Sequence, residues 1–420
     1  MMFRSWLKIA ACLTAGLYLA PPANSMQWLR GSHPAQTAGD SAPALAAQTR
    51  PEATLVSALT AIRQNRLDEA NRLVDGLLQS RPNYRLAHLL KGDLLMAQAQ
   101  PLAGIGNAPI KDEKLEDLRR EAGVRMARYS APPPTDRIPA NLIQLTANQK
   151  YAVVVDAGRS RIYLYRNDNG TPRYVLDFYA TIGRLGFDKS REGDQRTPLG
   201  VYFVTGHMPR EQLDKTMGAR AELFGIGAWP LSYPNDWDRQ QGRTGSGIWL
   251  HGVPYDTYSR APNASNGCVA MTNADLEALG SYLGAGTPVV ITPAVEWISN
   301  EEWQSRRSAA MAELESWRRD WESLDTPRYL NHYGESFRVG NTDLQSWKSQ
   351  KIAVNAGKQW AKIKLEEVSL FAYPTRSGNM LMASFQQDYQ SSNLSNRMQK
   401  RLYFEQASNS WKIVFEGAAG

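Results

Sequence analysis

Cys268 and His251 are the residues of this sequence best suited to nucleophilic chemistry. Cys268 lies in the segment 265–269, and His251 ends the segment 247–251, seventeen positions before the thiol. A thiol is mostly protonated at neutral pH, because its reference pKa is about 8.5. An imidazole within hydrogen-bond reach removes that proton and activates the sulfur. The pair therefore predicts a cysteine enzyme with Cys268 as nucleophile and His251 as base.

The cysteine count favours a chemical role for Cys268. The chain has two cysteines, and Cys12 lies in a segment that resembles an export signal. Its removal leaves a single thiol, which is a liability in an oxidising compartment unless its reactivity is used. One thiol and five histidines show no paired ligand spacing, so neither a metal ion nor another cofactor is expected.

Residues 1–25 predict a cleaved signal peptide. Arg4 and Lys8 precede an apolar run over 9–20, which is too short to span a bilayer. An uncleaved anchor and a lipid attachment at Cys12 are the alternatives. Residues 26–50 are rich in Ala, Gln, Pro, Ser and Gly, and predict a flexible tether. Export places the protein in the periplasm.

Charge argues against nucleic acid as a partner. The formal charge of +7 falls to +5 without Arg4 and Lys8, and no block of Lys and Arg follows. Mild basicity suits an anionic polymer such as a cell wall.

Residues 51–130 predict a helical region, followed by a Pro-rich linker over 131–148. Apolar side chains recur at helical spacing from residue 55 to residue 77, and a further helix is predicted over 113–128. The pattern over 67–87 resembles one tetratricopeptide-type helical hairpin. One repeat cannot bury its own apolar face, so it packs on the next domain or a second subunit, or it recruits a partner protein.

Residues 149–294 predict the β-rich domain that positions the thiol and imidazole. One helix is expected near Asn273, with strands over 151–155, 161–165, 175–182, 200–204, 247–251 and 289–292. A strand that ends at His251, a loop of about fifteen residues and a return to the sheet bring the two side chains together. Gly267 permits a tight turn, so the amides of Gly267 and Cys268 are the expected oxyanion donors.

Residues 300–420 predict an α+β domain. A long helix is expected over 303–324, and Tyr329, Tyr333 and Phe337 form a second helical stripe. Four strands follow, over 360–371, 380–389, 401–406 and 411–416.

The segment 149–293 resembles the catalytic domain of the L,D-transpeptidases, the YkuD-type cysteine enzymes of bacterial cell walls. Three stretches carry the resemblance: the Thr-Pro-x-Gly strand over 193–202, the histidine strand over 247–252, and the nucleophile turn over 265–269 with Asn273 and Asp275. Residues 313–417 resemble the nuclear transport factor 2 (NTF2) fold, which accompanies one branch of this family. The expected fold is therefore multidomain, with a helical region, the β-rich catalytic domain and a C-terminal NTF2-like domain.

The resemblance implies roles for particular residues. The carbonyl of Gly252 would hold the imidazole of His251, and the Cys268 thiolate would attack the L-centred residue at position three of a peptidoglycan stem peptide. An amine acceptor then gives a 3–3 crosslink or a protein attachment, whereas water gives carboxypeptidase or amidase trimming. A wall-binding scaffold with an inactive thiol is the alternative from another class.

Two positions depart from the family pattern. Asn266 stands where many relatives have His, and Ala270 stands where many have Arg. Loss of the arginine removes an anchor for a substrate carboxylate, for which Arg196, Arg243 or Arg184 are candidate replacements. The expected substrate-binding residues are Trp249, Ser265, Asn266, Arg243, Arg196 and Tyr233. The expected partners are peptidoglycan stem peptides, a wall-linked lipoprotein or other protein at the helical region, and a second copy of the chain.

Overall fold

The computed structural model describes residues 42–107, 112–375, 379–407 and 410–418, with side chains described from residue 51 onwards. The predicted signal peptide and residues 26–41 of the predicted tether lie outside the described residues. Among those described, no helix is both long and apolar enough to cross a membrane.

Four helices form the N-terminal region: α1 (Ala42–Arg63), α2 (Leu67–Ser80), α3 (Arg85–Met96) and α4 (Glu113–Ser130). The tether prediction is wrong over 42–50, where α1 has already begun. Four of those nine residues are Ala, which has the highest helix propensity. The helices share an apolar core that includes Leu59, Val74 and Leu90, and Tyr258 from the β-rich domain packs against it. The helical region therefore packs on the next domain.

The β-rich domain consists of short strands with few helices. Its strands are β1 (Ile138–Pro139), β2 (Leu142–Gln144), β3 (Tyr151–Asp156), β4 (Arg161–Asp168), β5 (Thr171–Tyr179), β6 (Ile182–Gly183), β7 (Gly200–Phe203), β8 (Met208–Pro209), β9 (Gly227–Pro230), β10 (Trp249–His251), β11 (Asn263–Ser265), β12 (Val269–Ala270), β13 (Pro288–Thr292) and β14 (Trp297–Ile298). Its helices are α5 (Arg210–Met217), a 3-10 helix (Gly218–Phe224), α6 (Asp236–Gln240) and α7 (Asn273–Gly280). Only α7 was predicted, because the others are short and weakly apolar.

Two sheets enclose the core of this domain. One has the strand order β5-β4-β3-β13-β7, and the other has the order β12-β10-β9-β8. Val153 and Val289 from the first sheet share a buried cluster with Leu250 and Val269 from the second. Alternating apolar residues on β3 and β13 produce this packing. The second sheet carries both His251 and the backbone that follows Cys268.

The C-terminal domain packs helices against an antiparallel sheet. Its elements are α8 (Asn300–Glu322), α9 (Thr326–Leu330), β15 (Arg338–Val339), β16 (Thr342–Asp343), α10 (Leu344–Ala356), β17 (Ala361–Tyr373), β18 (Met380–Ser391), β19 (Leu394–Ala407) and β20 (Ser410–Ala418). The sheet order is β2-β17-β18-β19-β20, so β2, which precedes β3 in the chain, joins this sheet.

The structure corrects the second helical stripe predicted in this domain. α9 ends at Leu330, because the following backbone turns to pair with β20, where the Gly334 N–H donates to the Ile413 carbonyl at 2.9 Å. Tyr333 and Phe337 still pack together, with ring centroids 5.1 Å apart. α10 was not predicted. The predicted fold class, a helical segment followed by a β-rich catalytic domain and an NTF2-like domain, is confirmed.

Candidate active site

Two neighbouring parallel strands hold the predicted nucleophile and base. β10 pairs with β12 in a register that sets Leu250 opposite Val269 and His251 opposite Ala270. Cys268 directly precedes β12 and lies two residues before Ala270. Since side chains alternate between the two faces of a strand, Cys268 and His251 lie on the same face of this sheet.

His251 is a neutral base held in one tautomer. Its ring is buried, and Nδ1 lies 2.6 Å from the carbonyl oxygen of Gly252. A carbonyl only accepts, so Nδ1 carries the proton and Nε2 remains the acceptor. Burial lowers the pKa of His251 to about 4, and the positive charge of Arg260 acts in the same direction against the Gly252 contact. The imidazole is therefore neutral at pH 7.

Cys268 is a protonated thiol at rest. It is half-buried, and its Sγ donates to the carbonyl oxygen of Gly247 at 3.3 Å. Burial raises the pKa of Cys268 to about 11, against a backbone hydrogen bond from Trp249 and the charges of Arg260 and Lys189. The resting pair is therefore thiol and neutral imidazole, and a proton transfer must accompany attack by the sulfur.

Hydrogen bonds fix the backbone turn that carries Cys268. Ser265 Oγ donates to the Cys268 carbonyl at 2.6 Å and accepts from the Gly267 N–H at 3.1 Å. The buried Thr197 hydroxyl donates to the Gly267 carbonyl at 2.9 Å. Gly267 has φ +121°, and a Cβ there would lie 2.8 Å from the Arg196 carbonyl oxygen. The Thr-Pro-x-Gly strand thus supports the nucleophile turn, and only glycine fits at 267.

The two amides expected to bind an oxyanion differ in their surroundings. The Gly267 N–H is engaged by the Ser265 hydroxyl. Ser265 does not bind the N–H of Cys268, the other expected donor. The Gly267 N–H would therefore have to exchange its bond to Ser265 before it could donate to an oxyanion.

Asn273 fixes the loop that follows His251. Its side chain accepts from the Val253 N–H at 3.1 Å and donates to the Val253 carbonyl at 2.9 Å. A Cβ on Gly252 would lie 2.1 Å from Asn273 Oδ1. Glycine at 252 therefore lets the Asn273 side chain approach the backbone closely enough to hold Val253.

The structure separates the expected substrate-binding residues. Trp249 is half-buried against Phe224 at a ring distance of 4.9 Å, and Asn266 is exposed beside the nucleophile turn. Tyr233 is instead a core residue, buried against Tyr202, with its hydroxyl donating to a backbone carbonyl at 3.0 Å. Tyr233 therefore packs in the core and is not available to bind a substrate, whereas Trp249 and Asn266 lie beside Cys268.

The arginines proposed to replace the family arginine have other partners. Arg243 pairs with Asp188 at 3.2 Å and Asp238 at 3.5 Å. Arg196 donates to the Phe187 carbonyl at 3.0 Å, and Arg184 pairs with Glu113 at 3.1 Å. Their guanidinium groups are already used within the fold.

Arg260 is the residue near the site that the sequence did not single out. It acts electrostatically on both Cys268 and His251. It lies in a polar loop between the histidine strand and the nucleophile turn, without a motif that marks it. A cation beside a reactive thiol favours the thiolate.

Comparison with known proteins identifies two of the domains. Residues 150–291 match the L,D-transpeptidase catalytic domain (YkuD), and residues 309–417 match the Cds6 C-terminal NTF2-like domain. The chain therefore contains an L,D-transpeptidase-type catalytic domain, of a family that acts on peptidoglycan, and an NTF2-like domain. No curated protein matches the chain.

Two solved structures resemble the chain across more than one domain. Bd1075 of Bdellovibrio bacteriovorus is 26% identical, with a TM-score of 0.58, over 68% of this chain and 98% of that chain. The helical cell shape determining protein Pgp2 of Campylobacter jejuni is 27% identical, with a TM-score of 0.57, over 66% of this chain and 95% of that chain.

Proposed function

We propose that this chain, through its L,D-transpeptidase-type catalytic domain, cleaves peptidoglycan stem peptides at the bond between the L-centred residue three and the terminal D-Ala. The observation that carries the proposal is the shared sheet face of Cys268 and His251, with the base held by Gly252. The proposed location is the periplasm, where the wall is accessible.

The geometry supports a general-base mechanism. His251 Nε2 takes the thiol proton as Cys268 Sγ attacks the carbonyl carbon of residue three, and the carbonyl electrons move to its oxygen. The Cys268 amide donates to that oxyanion. As the intermediate collapses, the imidazolium returns its proton to the departing amine of D-Ala, which leaves a thioester.

The acceptor of the acyl group determines the net reaction. An amine attacks the thioester, loses a proton to His251 and gives a 3–3 crosslink or a protein attachment, so the reaction is L,D-transpeptidation. Water attacks in the same way and gives a trimmed stem, so the reaction is L,D-carboxypeptidation. The similarity to Pgp2, a helical cell shape determining protein, supports a proposed role in cell shape for either reaction.

Incubation of the purified protein with defined tetrapeptide and crosslinked muropeptides tests the proposal. Mass spectrometry should detect released D-Ala, and a new crosslink in the same sample identifies an amine acceptor. Cys268→Ala should abolish product while leaving the free energy of unfolding within about 0.5 kcal/mol, since the thiol is small and half-buried.

A carbapenem distinguishes the enzyme from a non-catalytic wall-binding scaffold. A reactive Cys268 should form a covalent adduct that is absent from Cys268→Ala. Wall binding without adduct or product would instead favour the scaffold. A partner protein at the helical region and a homodimer remain predictions, which pull-down and mass measurement in solution can check.

A further inference from the structure

The loop that carries Arg260 is connected to the nucleophile strand through Thr181. The Thr181 N–H donates to the Ala270 carbonyl at 2.7 Å, and the Ala270 N–H donates to the Thr181 carbonyl at 2.9 Å. The Tyr179 hydroxyl donates to the Arg260 carbonyl at 2.9 Å, and the Thr181 hydroxyl lies 3.0 Å from the Ala261 carbonyl and 3.3 Å from the Arg260 carbonyl. Thr181 therefore joins Arg260 to Ala270, the residue opposite His251 in the sheet register.

The helical region fixes the same loop from the other side. Ser259 donates to the buried carboxylate of Glu121 on α4 at 2.7 Å. The Tyr258 ring lies 4.5 Å from the Tyr84 ring, beside the start of α3. Residues on both sides of the loop thus hold the Arg260 backbone in place, so its side chain starts from a preorganised position.

The guanidinium group of Arg260 has no acidic partner in the part of the chain that the structure describes. It is half-buried, and Asp256 lies within electrostatic reach without forming an ion pair. The other arginines considered for this role have partners: Arg184 pairs with one carboxylate, Arg196 donates to a carbonyl and Arg243 pairs with two carboxylates. A half-buried cation beside the nucleophile that lacks an acidic partner among the described residues is suited to bind an anion.

We propose that Arg260 binds a substrate carboxylate next to the scissile carbonyl and so selects stems with that anion free. The proposal rests on the proposed function. In a tetrapeptide stem, the terminal D-residue carries its carboxylate two bonds beyond the scissile nitrogen. The side-chain carboxylate of residue three is the second source of the same chemistry. The planar guanidinium fork matches either carboxylate with two hydrogen bonds.

Binding to a catalytically inactive background tests Arg260 separately from turnover. Calorimetry would compare Cys268→Ala with Cys268→Ala/Arg260→Met, using three tetrapeptides: both carboxylates free, the C-terminus amidated, and the residue-three side chain amidated. Arg260→Met should weaken binding of the free peptide about 10- to 100-fold, the size of a charged hydrogen bond. Arg260→Lys should fall between the two, because it keeps the charge and loses the fork.

The amidated peptides identify the carboxylate. If Arg260 binds the carboxylate that is amidated in a given peptide, that peptide should have the same affinity for Cys268→Ala and for Cys268→Ala/Arg260→Met. The other two peptides should still bind Cys268→Ala more tightly than the double variant. Arg191→Met, an exposed arginine on a nearby loop, is the matched control and should bind all peptides as the parent does. Equal losses on all three peptides, no effect of Arg260→Met, or no binding by the parent would each overturn the proposal.

Turnover by the protein with Cys268 intact keeps the two proposals distinguishable. Arg260-dependent binding without turnover contradicts the proposed function and retains the carboxylate site. Turnover of the free tetrapeptide with a KM that Arg260→Met leaves unchanged retains the proposed function and contradicts the carboxylate site.

Discussion

The catalytic domain contacts the helical region through charged residues and the NTF2-like domain mainly through apolar residues. The junction with the helical region is an ion-pair network that joins Glu52 and Arg125 from the helices to Arg161 from β4 and Asp177 from β5. Glu52 accepts from both arginines at 2.8 Å, and Arg161 Nε donates to Asp177 at 2.9 Å. The arginines hold the pKa of Glu52 and Asp177 below their ordinary values against burial.

The NTF2-like side is mainly an apolar junction. Val154 and Tyr163 from the catalytic sheet share a buried cluster with Phe371, Met382 and Val414 from the C-terminal sheet. β2 also pairs with β17, with Leu142 opposite Phe371. A few polar contacts lie at its edge, among them the ion pair of Arg401 with Asp236 at 3.1 Å.

The contrast has a physical consequence. A buried charge is tolerated only while its partners remain, so the helical junction depends on each member of its network. Apolar packing is non-directional and loses stability in proportion to the atoms removed. The charged junction is also the one that continues to the active-site loop, through Glu121 and Ser259.

Arg161→Met should have the largest effect. It leaves Glu52 and Asp177 each with one partner fewer inside the junction, and we expect the free energy of unfolding to fall by about 3–5 kcal/mol. Urea titration measures the change. Arg66→Met is the matched control, since Arg66 and its partner Glu69 are both exposed and the loss of this ion pair should lower the free energy of unfolding by about 1 kcal/mol or less. Equal effects for the two variants would contradict the buried network.

Val414→Ala probes the apolar junction with a smaller expected effect. Removal of two buried methyl groups should lower the free energy of unfolding by about 2 kcal/mol. Ile352→Ala is the control, because that side chain is largely exposed and should change stability by about 0.5 kcal/mol or less. A Val414→Ala loss similar to that of the control would show that this cluster is loosely packed.

Asp238→Asn separates the pH responses of the two junctions. Burial raises the pKa of Asp238, beside the NTF2-like junction, to about 6. Between about pH 6 and about pH 4, Asp238 is protonated in the folded state but ionised in the unfolded state. The free energy of unfolding therefore rises as pH falls through this interval, on the order of 1–3 kcal/mol. Glu52 and Asp177 act oppositely, since their lowered pKa values remove stability as pH falls below about 4.

Unfolding titrations of wild type and Asp238→Asn across this range measure the difference. The free-energy difference between the two proteins should change between about pH 6 and about pH 4 and then level off. A constant difference across that interval would show that Asp238 has an ordinary pKa.

Ser259→Ala should have the smallest effect on stability. It removes one hydrogen bond to Glu121, which keeps Arg125 as partner, so we expect a loss of about 1 kcal/mol. Because the bond holds the loop of Arg260, kcat/KM should fall more than stability suggests. Thr257→Ala, on the same loop with its hydroxyl donating to the neighbouring Asp256, is the control. Equal kcat/KM for both variants would indicate that the helices do not position the site.

The sequence predicted the elements with clear apolar patterns well and the others poorly. The strands around Val153 and Val289 are continuous apolar runs, and helix α8 carries an apolar stripe at helical spacing, so these patterns predicted them. The 3-10 helix before Gly225 and helix α10 have weak apolar periodicity, and tertiary contacts stabilise them instead. Tyr333 and Phe337 have helical spacing, yet pairing with β20 turns the backbone out of a helix.

The sequence by itself determined the family of the catalytic domain, because a single thiol after Gly267, a histidine that ends a strand and the Thr-Pro-x-Gly segment are local patterns. Tertiary structure alone decided the surroundings of Cys268 and His251. It placed Arg260 beside the thiol, moved Tyr233 into the core and bound the Gly267 carbonyl to the Thr197 hydroxyl. Those outcomes depend on contacts between residues far apart in the chain, and the spacing of residues along the chain does not encode which distant side chains burial brings together.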